Sequence, residues 1–116
     1  MMINTMKTAM IIASDAGART AGIIREELGK EVDLFSVSER SGCVRIDSIT
    51  DFTLRHFGDY EAFVFIGAMG ICVRAIAPCV TSKYADPAVV NVDATGHFVV
   101  SVLAGHVGGA NALTER

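Results

Sequence analysis

Cysteine is scarce in this sequence, and its spacing offers no pairs. Cys43, Cys72 and Cys79 are odd in number and form no C-x-x-C motif. That excludes a disulfide frame and a zinc site built on paired thiols. The three read as reduced thiols of a cytosolic protein, buried as small apolar side chains. Charge is scarce too. Charged residues make up 20% of the chain and the formal net charge is −3, so no broad field favours nucleic acid or an anionic membrane. An anionic ligand would have to be held by local cations and backbone donors. No apolar run reaches the roughly 18 residues of a membrane span. The opening "MMINTMKTAMIIAS" has one lysine and a short apolar stretch before Asp15 and Arg19. It reads as a leader plus a first strand, not as a signal peptide. Several motifs are missing as well. The chain has no G-K-[ST] of a P-loop, no G-x-G-x-x-G dinucleotide fingerprint and no G-x-S-x-G nucleophile elbow. His56, His97 and His106 show no metal-ligand spacing. Repeats, low-complexity tracts and interdomain linkers are absent from the sequence.

What remains is a chain that is 51% apolar over 116 residues. That is one small domain, able to bury about two-thirds of its unfolded surface. Apolar and polar segments alternate with a regular beat. "KTAMIIAS" (7–14) reads as a buried strand. "DAGARTAGIIREELG" (15–29) reads as a helix with Ala21, Ile24 and Leu28 on one face and Gly29 as its stop. "EVDLFSV" (31–37) alternates as a strand does, and a polar loop follows from Ser38 to Asp47. "SITDFTLRHF" (48–57) opens on a capping box, Ser48 with Asp51. Ile49, Phe52, His56 and Phe57 share one face of that helix, with His56 half-buried at its end. "EAFVFIG" (61–67) is the continuous apolar run of a strand covered on both faces. "GAMG" leads into a short helix, "ICVRAIA", which Pro78 ends. "AVVNVD" (88–93) and "HFVVSVL" (97–103) form a hairpin across "ATG", with His97 an exposed strand residue. "ANALTER" opens a final helix with no cap, glycine or breaker after it. The sequence therefore predicts a single α/β domain over 1–116 that breaks off inside the last helix of a longer chain.

This order predicts an α/β three-layer sandwich. Its mainly parallel sheet has about five strands, one of them an antiparallel hairpin strand. Ligands in such sheets gather outside the carboxyl ends of the strands. The turns to inspect are Ser14–Gly17, Gly67–Gly70 and Gly105–Asn111. In "GAMGICVRAIAP" the amides at a helix start favour anions, and Gly67 and Gly70 let a ligand approach the backbone. The plainer reading is a tight turn. Arg74 is the only charge between Glu61 and Lys83. It either reaches out to solvent or takes a carboxylate bidentately. In "TSKYADPAVV", Lys83 offers a point charge, and Asp86 before Pro87 is also a common turn pair. In "LAGHVGGAN", Gly105, Gly108 and Gly109 leave amides bare beside a helix start, and His106 titrates near neutrality. A base beside an amide nest is what opening an ester or lactone requires. The alternative is a histidine that caps a turn.

Together, "GAMGICVRAIAP" and "KYADPAVVNVDATGHFVVSVLAGHVGGAN" resemble the amino-terminal part of the CbiG family, the cobalt-precorrin-5A hydrolases of anaerobic cobalamin biosynthesis. The resemblance is close from Phe63 to Asn111 and looser before it. It implies a reaction: opening the δ-lactone of a cobalt-bound tetrapyrrole and expelling a two-carbon unit as acetaldehyde, to give cobalt-precorrin-5B. Cobalt arrives with the substrate, so no separate cofactor and no protein-held metal is implied. The residues themselves, read beside that reaction, give the expected substrate-binding set as Gly67, Gly70, Arg74, Lys83, Asp86, Gly105, Gly108, Gly109 and Asn111, with His106 as catalytic base; the resemblance does not assign these roles. Family members are longer, which implies a further carboxyl-terminal domain as a partner. In some organisms the family is fused to a precorrin methyltransferase, so a fused or neighbouring methyltransferase is a further implied partner. The rival reading is a non-catalytic α/β module that binds an anionic tetrapyrrole, or another anionic ligand, through its glycine loops. A third is a structural domain whose glycines only make turns.

Overall fold

The computed structural model describes residues 7–29, 31–82 and 85–104. Lys83, Gly105, His106, Gly108, Gly109 and Asn111 lie outside that set. A six-stranded sheet in the order β3-β2-β1-β4-β5-β6 forms the middle layer. Its strands are β1 (Thr8–Ile12), β2 (Val32–Ser36), β3 (Val44–Arg45), β4 (Ala62–Ile66), β5 (Ala88–Val92) and β6 (Val99–Ala104). Three helices cover it: α1 (Ala18–Leu28), entered through a 3-10 turn at Asp15–Gly17, α2 (Ile49–His56) and α3 (Met69–Ile76). All pairings are parallel except β5 with β6. The three-layer α/β architecture read from the sequence is the one observed. The sheet has one strand more than expected. β3 lies inside the stretch read as a polar loop, pairing Val44 with Phe35 and Arg45 with Ser36. Two exposed residues are too few to show an alternation.

The continuous apolar runs become the central strands because both of their faces are covered. Every residue of β1, β4 and β5 is buried. Alternate side chains then divide into two cores. Met10, Ile12, Val64, Ile66, Val90 and Val92 meet Ala21 of α1, with Ile24 and Leu28 packed beside it. Ala9, Ile11, Phe63, Phe65 and Val89 meet Cys72, Ala75 and Ile76 of α3, with Ile49 and Phe52 of α2 packed beside them. This second core is aromatic. Phe63 lies 5.6 Å from Phe57 and 6.1 Å from Phe65, centroid to centroid. The division follows from handedness. β1 steps to β2 in one direction and β4 to β5 in the other, so right-handed crossovers put α1 and α3 on opposite faces.

The ends of the elements follow local chemistry. Gly29 closes α1, its N–H donating to the Arg25 carbonyl at 3.0 Å. Ser48 caps α2, its hydroxyl accepting the Asp51 N–H at 3.1 Å. The capping box is only half made, because the Asp51 carboxylate turns to Arg55 at 2.7 Å. His56 sits at the end of α2 as expected, its ring 4.7 Å from that of Phe52 and its Nδ1 2.8 Å from Asp59. In the hairpin, the Asp93 carboxylate accepts the Phe98 N–H at 2.7 Å and the Thr95 hydroxyl. Thr20 of α1 donates to the Ala94 carbonyl at 2.7 Å and so ties the hairpin to that helix. All three cysteines are free thiols; Cys72 is buried, and Cys43 and Cys79 are partly so. Among the described residues no helix is long and apolar enough to cross a membrane.

Candidate functional site

The direction of the crossovers reverses between β1 and β4, so the crevice of this sheet opens beyond the carboxyl ends of those two strands. Two of the three turns singled out from the sequence line it: Ser14–Gly17 after β1 and Gly67–Gly70 after β4. They are in close contact. The Ala13 N–H donates to the Ile66 carbonyl at 2.9 Å, and the Gly67 N–H to the Val92 carbonyl at 2.9 Å. Gly67 has φ +151, and a Cβ there would stand 2.8 Å from the Ala13 Cβ. The position therefore demands glycine for backbone reasons. A Cβ on Gly17 would likewise stand 2.7 Å from Ile66 Cγ2. Both glycines let the turns close upon each other, the tight-turn role that the sequence left open for Gly67 beside ligand approach.

Each turn feeds a helix start. Neither α3, capped by Ala68, nor the turn-and-helix that begins at Asp15 has a side-chain cap. First-turn amides without caps are donors directed at the crevice, and the helix dipoles add positive potential there. Arg74 stands one turn along α3 from Gly70. Its Nη1 lies 4.0 Å from where a Gly70 Cβ would be. The exposed guanidinium is thus drawn back over the first turn of its own helix, in the direction helical side chains lean. Positive charge over a positive helix end is unfavourable unless an anion joins them. Among the described residues Arg74 has no acidic partner. Gly67, Gly70 and Arg74 are brought together at the crevice.

Asp86 is elsewhere. It precedes β5, at the end of the sheet where the parallel strands begin, about 13 Å from the crevice at roughly 3.3 Å per residue. Its buried carboxylate is turned inward. Oδ2 accepts the Thr81 N–H at 2.9 Å and Oδ1 the Thr81 hydroxyl at 2.9 Å. It closes its own loop and leaves the Cys79 thiol raised, first by burial and then by the carboxylate's charge. β6 runs antiparallel, with Ala104 opposite Ala88, so the strand finishes at the Asp86 end of the sheet. The third turn, Gly105–Asn111, lies outside the described residues.

The structure adds residues that the sequence reading passed over. Asn91, 4% exposed, stands in the apolar run of β5. Its Nδ2 donates to the Gly67 carbonyl at 3.2 Å, and its Oδ1 is buried with no partner among the described residues. The signal was there: an amide inside a fully buried strand must have something to hold. Arg40, from the loop after β2, pairs with Asp15 on the rim. Among the described residues no group of three or more His, Cys, Asp or Glu is placed to hold a metal. A separate apolar cavity of about 420 Å³ lies between α1 and the hairpin, lined by Ile23, Val90, Val92 and Val99 among others. It lies between α1 and the hairpin strands, not at the turns that carry the donors.

Comparison with known proteins agrees with this architecture. The family described as cobalamin synthesis G N-terminal matches residues 51–116. A cobalt-precorrin-5A hydrolase of Salmonella typhimurium is 59% identical over 59 residues, 51% of this chain and 17% of that protein. A cobalt-precorrin-5A hydrolase of Priestia megaterium is 50% identical over 60 residues, 52% of this chain and 16% of that protein. The chain thus spans about a sixth of the length of these curated relatives. The crystal structure of a cobalamin biosynthesis protein G homolog from Sulfolobus solfataricus superposes with a TM-score of 0.72 at 23% identity. It covers 96% of this chain and 34% of its own, and shows the shared fold.

Proposed function

The chain belongs to the cobalamin synthesis G N-terminal family, and we propose that it is the amino-terminal domain of a hydrolase that opens the δ-lactone of cobalt-precorrin-5A. Water adds to the lactone carbonyl and the ring C–O bond breaks. The alcohol thus freed on the two-carbon unit loses its proton and becomes the carbonyl of acetaldehyde as the carbon–carbon bond to the macrocycle breaks; the macrocycle keeps that electron pair, takes up a proton, and remains as cobalt-precorrin-5B. Cobalt belongs to the substrate. The observation that carries the reading is the crevice between β1 and β4. It joins uncapped helix starts to the guanidinium of Arg74, which lies 4.0 Å from the Gly70 Cβ position. Such a crevice suits the carboxylate arms of a tetrapyrrole. Arg74 holds an arm bidentately, and the amides of Met69 and Gly70 donate to the remaining lone pairs of its two oxygens.

In this proposal His106 is the base that activates water, and the bare amides of Gly105, Gly108 and Gly109 receive the oxyanion. Lys83 and Asn111 complete the binding set, and Asp86 holds its loop in shape. The remainder of the longer hydrolase is the partner, with a precorrin methyltransferase fused or nearby, in the cytosol. In the full-length protein, His106→Ala abolishes acetaldehyde release; unchanged turnover removes His106 from the mechanism. Arg74→Gln raises KM about tenfold with kcat little changed, since it removes a contact made equally to substrate and transition state.

One observation favours a second reading, a binding module that seats the macrocycle for chemistry done elsewhere. The described rim of the crevice carries donors and cations but no histidine, and His56 and His97 lie on α2 and in the hairpin turn. Mixing the full-length protein with cobalt-precorrin-5A separates the two readings. A shift in absorbance with acetaldehyde supports hydrolysis; a shift without acetaldehyde supports the module.

A further inference from the structure

The Arg40–Asp15 pair is unlike the other arginine–carboxylate pairs described. Arg45 with Asp47 and Arg55 with Asp51 are exposed on both sides. In Arg40–Asp15 the cation is sunk and the acid is free: the Arg40 side chain is 26% exposed and that of Asp15 81%. The loop that carries Arg40 is anchored. The Ser38 N–H donates to the buried Ser36 hydroxyl at 3.1 Å, and the Cys43 N–H to the Arg40 carbonyl at 3.2 Å. Beyond it β3 joins the sheet, with Val44 opposite Phe35. The backbone that carries Arg40 is thus held independently of Asp15.

The pairing is also incomplete. Asp15 Oδ1 accepts from Nη2 of Arg40, while Nε is buried without an acceptor among the described residues. A guanidinium presents Nε and Nη2 as one edge shaped for both oxygens of a carboxylate. Here half of that edge is idle, and an idle buried donor is a standing cost. The location gives the pair a direction. Asp15 follows β1 directly, on the opposite side of the crevice from Arg74 and α3.

We propose that Arg40 is a second carboxylate anchor of the crevice, and that Asp15 is a placeholder which a carboxylate arm of the ligand displaces. The inference rests on the reading of the crevice as a tetrapyrrole site. It adds a specificity: Arg74 and Arg40, on opposite sides of the crevice, select a ligand with carboxylates on two separate arms. A monocarboxylate engages one anchor only.

The test is a titration of the full-length protein with uroporphyrin, an octacarboxylate tetrapyrrole without cobalt, followed by its absorbance. Arg40→Gln raises Kd at least tenfold, and Arg40→Lys falls between it and the parent because a point charge replaces the fork. Asp15→Asn removes the competitor and lowers Kd several-fold. This opposite movement is the decisive readout. If the pair only ties the loop to β1, both variants lose thermal stability and shift Kd in the same direction, which overturns the proposal. Should Arg40→Gln fold poorly, the sign of the Asp15→Asn effect decides alone. Tight binding by the parent that is unchanged in Arg40→Gln and Asp15→Asn overturns the Arg40 role and leaves the crevice reading standing. No binding by the parent overturns both.

Discussion

Gly67 bears two constraints at once, and they explain why one residue without a side chain governs the crevice. Its φ of +151 lies where L side chains are strained, and a Cβ would stand 2.8 Å from the Ala13 Cβ. Gly67→Ala therefore costs about 1–3 kcal/mol, measured as a lower urea midpoint with an unchanged slope. Asn91 holds the same residue from the other side through the Gly67 carbonyl. Cys72 shows the opposite case, a reactive group made inert by position. Burial pushes its thiol up to about 12. At pH 8 that leaves about 10⁻⁴ as thiolate. A disulfide reagent under native conditions should spare Cys72, and in denaturant should label it. Rapid native labelling at Cys72 would contradict its place in the α3 core.

The elements show why the β5–β6 hairpin turns where it does. The Asp93 carboxyl is held below its ordinary value by the Thr95 hydroxyl first and then by the Phe98 N–H. The carboxylate form is the one that accepts both bonds, so its contribution is present above about pH 4, where the unfolded group is also ionised. It is lost as pH falls through the lowered folded value. The difference in Tm between the parent and Asp93→Asn should therefore shrink from pH 5 to pH 3; a constant difference would mean that the carboxylate does not staple the turn. The hairpin also fixes where the chain goes next. Because β6 runs back beside β5, Ala104 lies opposite Ala88 and beside the loop closed by Asp86.

At the scale of the molecule, a chain with a formal charge of −3 must concentrate its few cations to hold a polyanion. In the proposed site Arg74 on one side of the crevice and Arg40 on the other would do so, reinforced by the helix starts. Binding of a polycarboxylate porphyrin should weaken several-fold between about 50 mM and 500 mM salt, as screening shortens the reach of exposed charges. Arg74→Gln should flatten that dependence. A salt-independent affinity would mean that the macrocycle is held by apolar contact instead. The family supplies the context in which this matters, since the chain spans about a sixth of its curated relatives.

Much of this was written in local pattern. The apolar runs of β1, β4 and β5, the Ala21–Ile24–Leu28 stripe of α1 and the Ser48 cap of α2 are periodicities and short motifs, each set by neighbours within a few residues. They determined the elements, the two-faced burial and the three layers. Strand direction across the β5–β6 turn was legible too, but its consequence was not. It decides at which end of the sheet β6 finishes, with Ala104 opposite Ala88 at the start of β5. The remaining decisions were made between residues far apart in the chain. Arg40 reaches Asp15 across 25 residues, and Asn91 reaches Gly67 across 24. Neither pair has a periodicity to announce it, because only the pairing of β2 beside β1 and of β5 beside β4 brings those positions together.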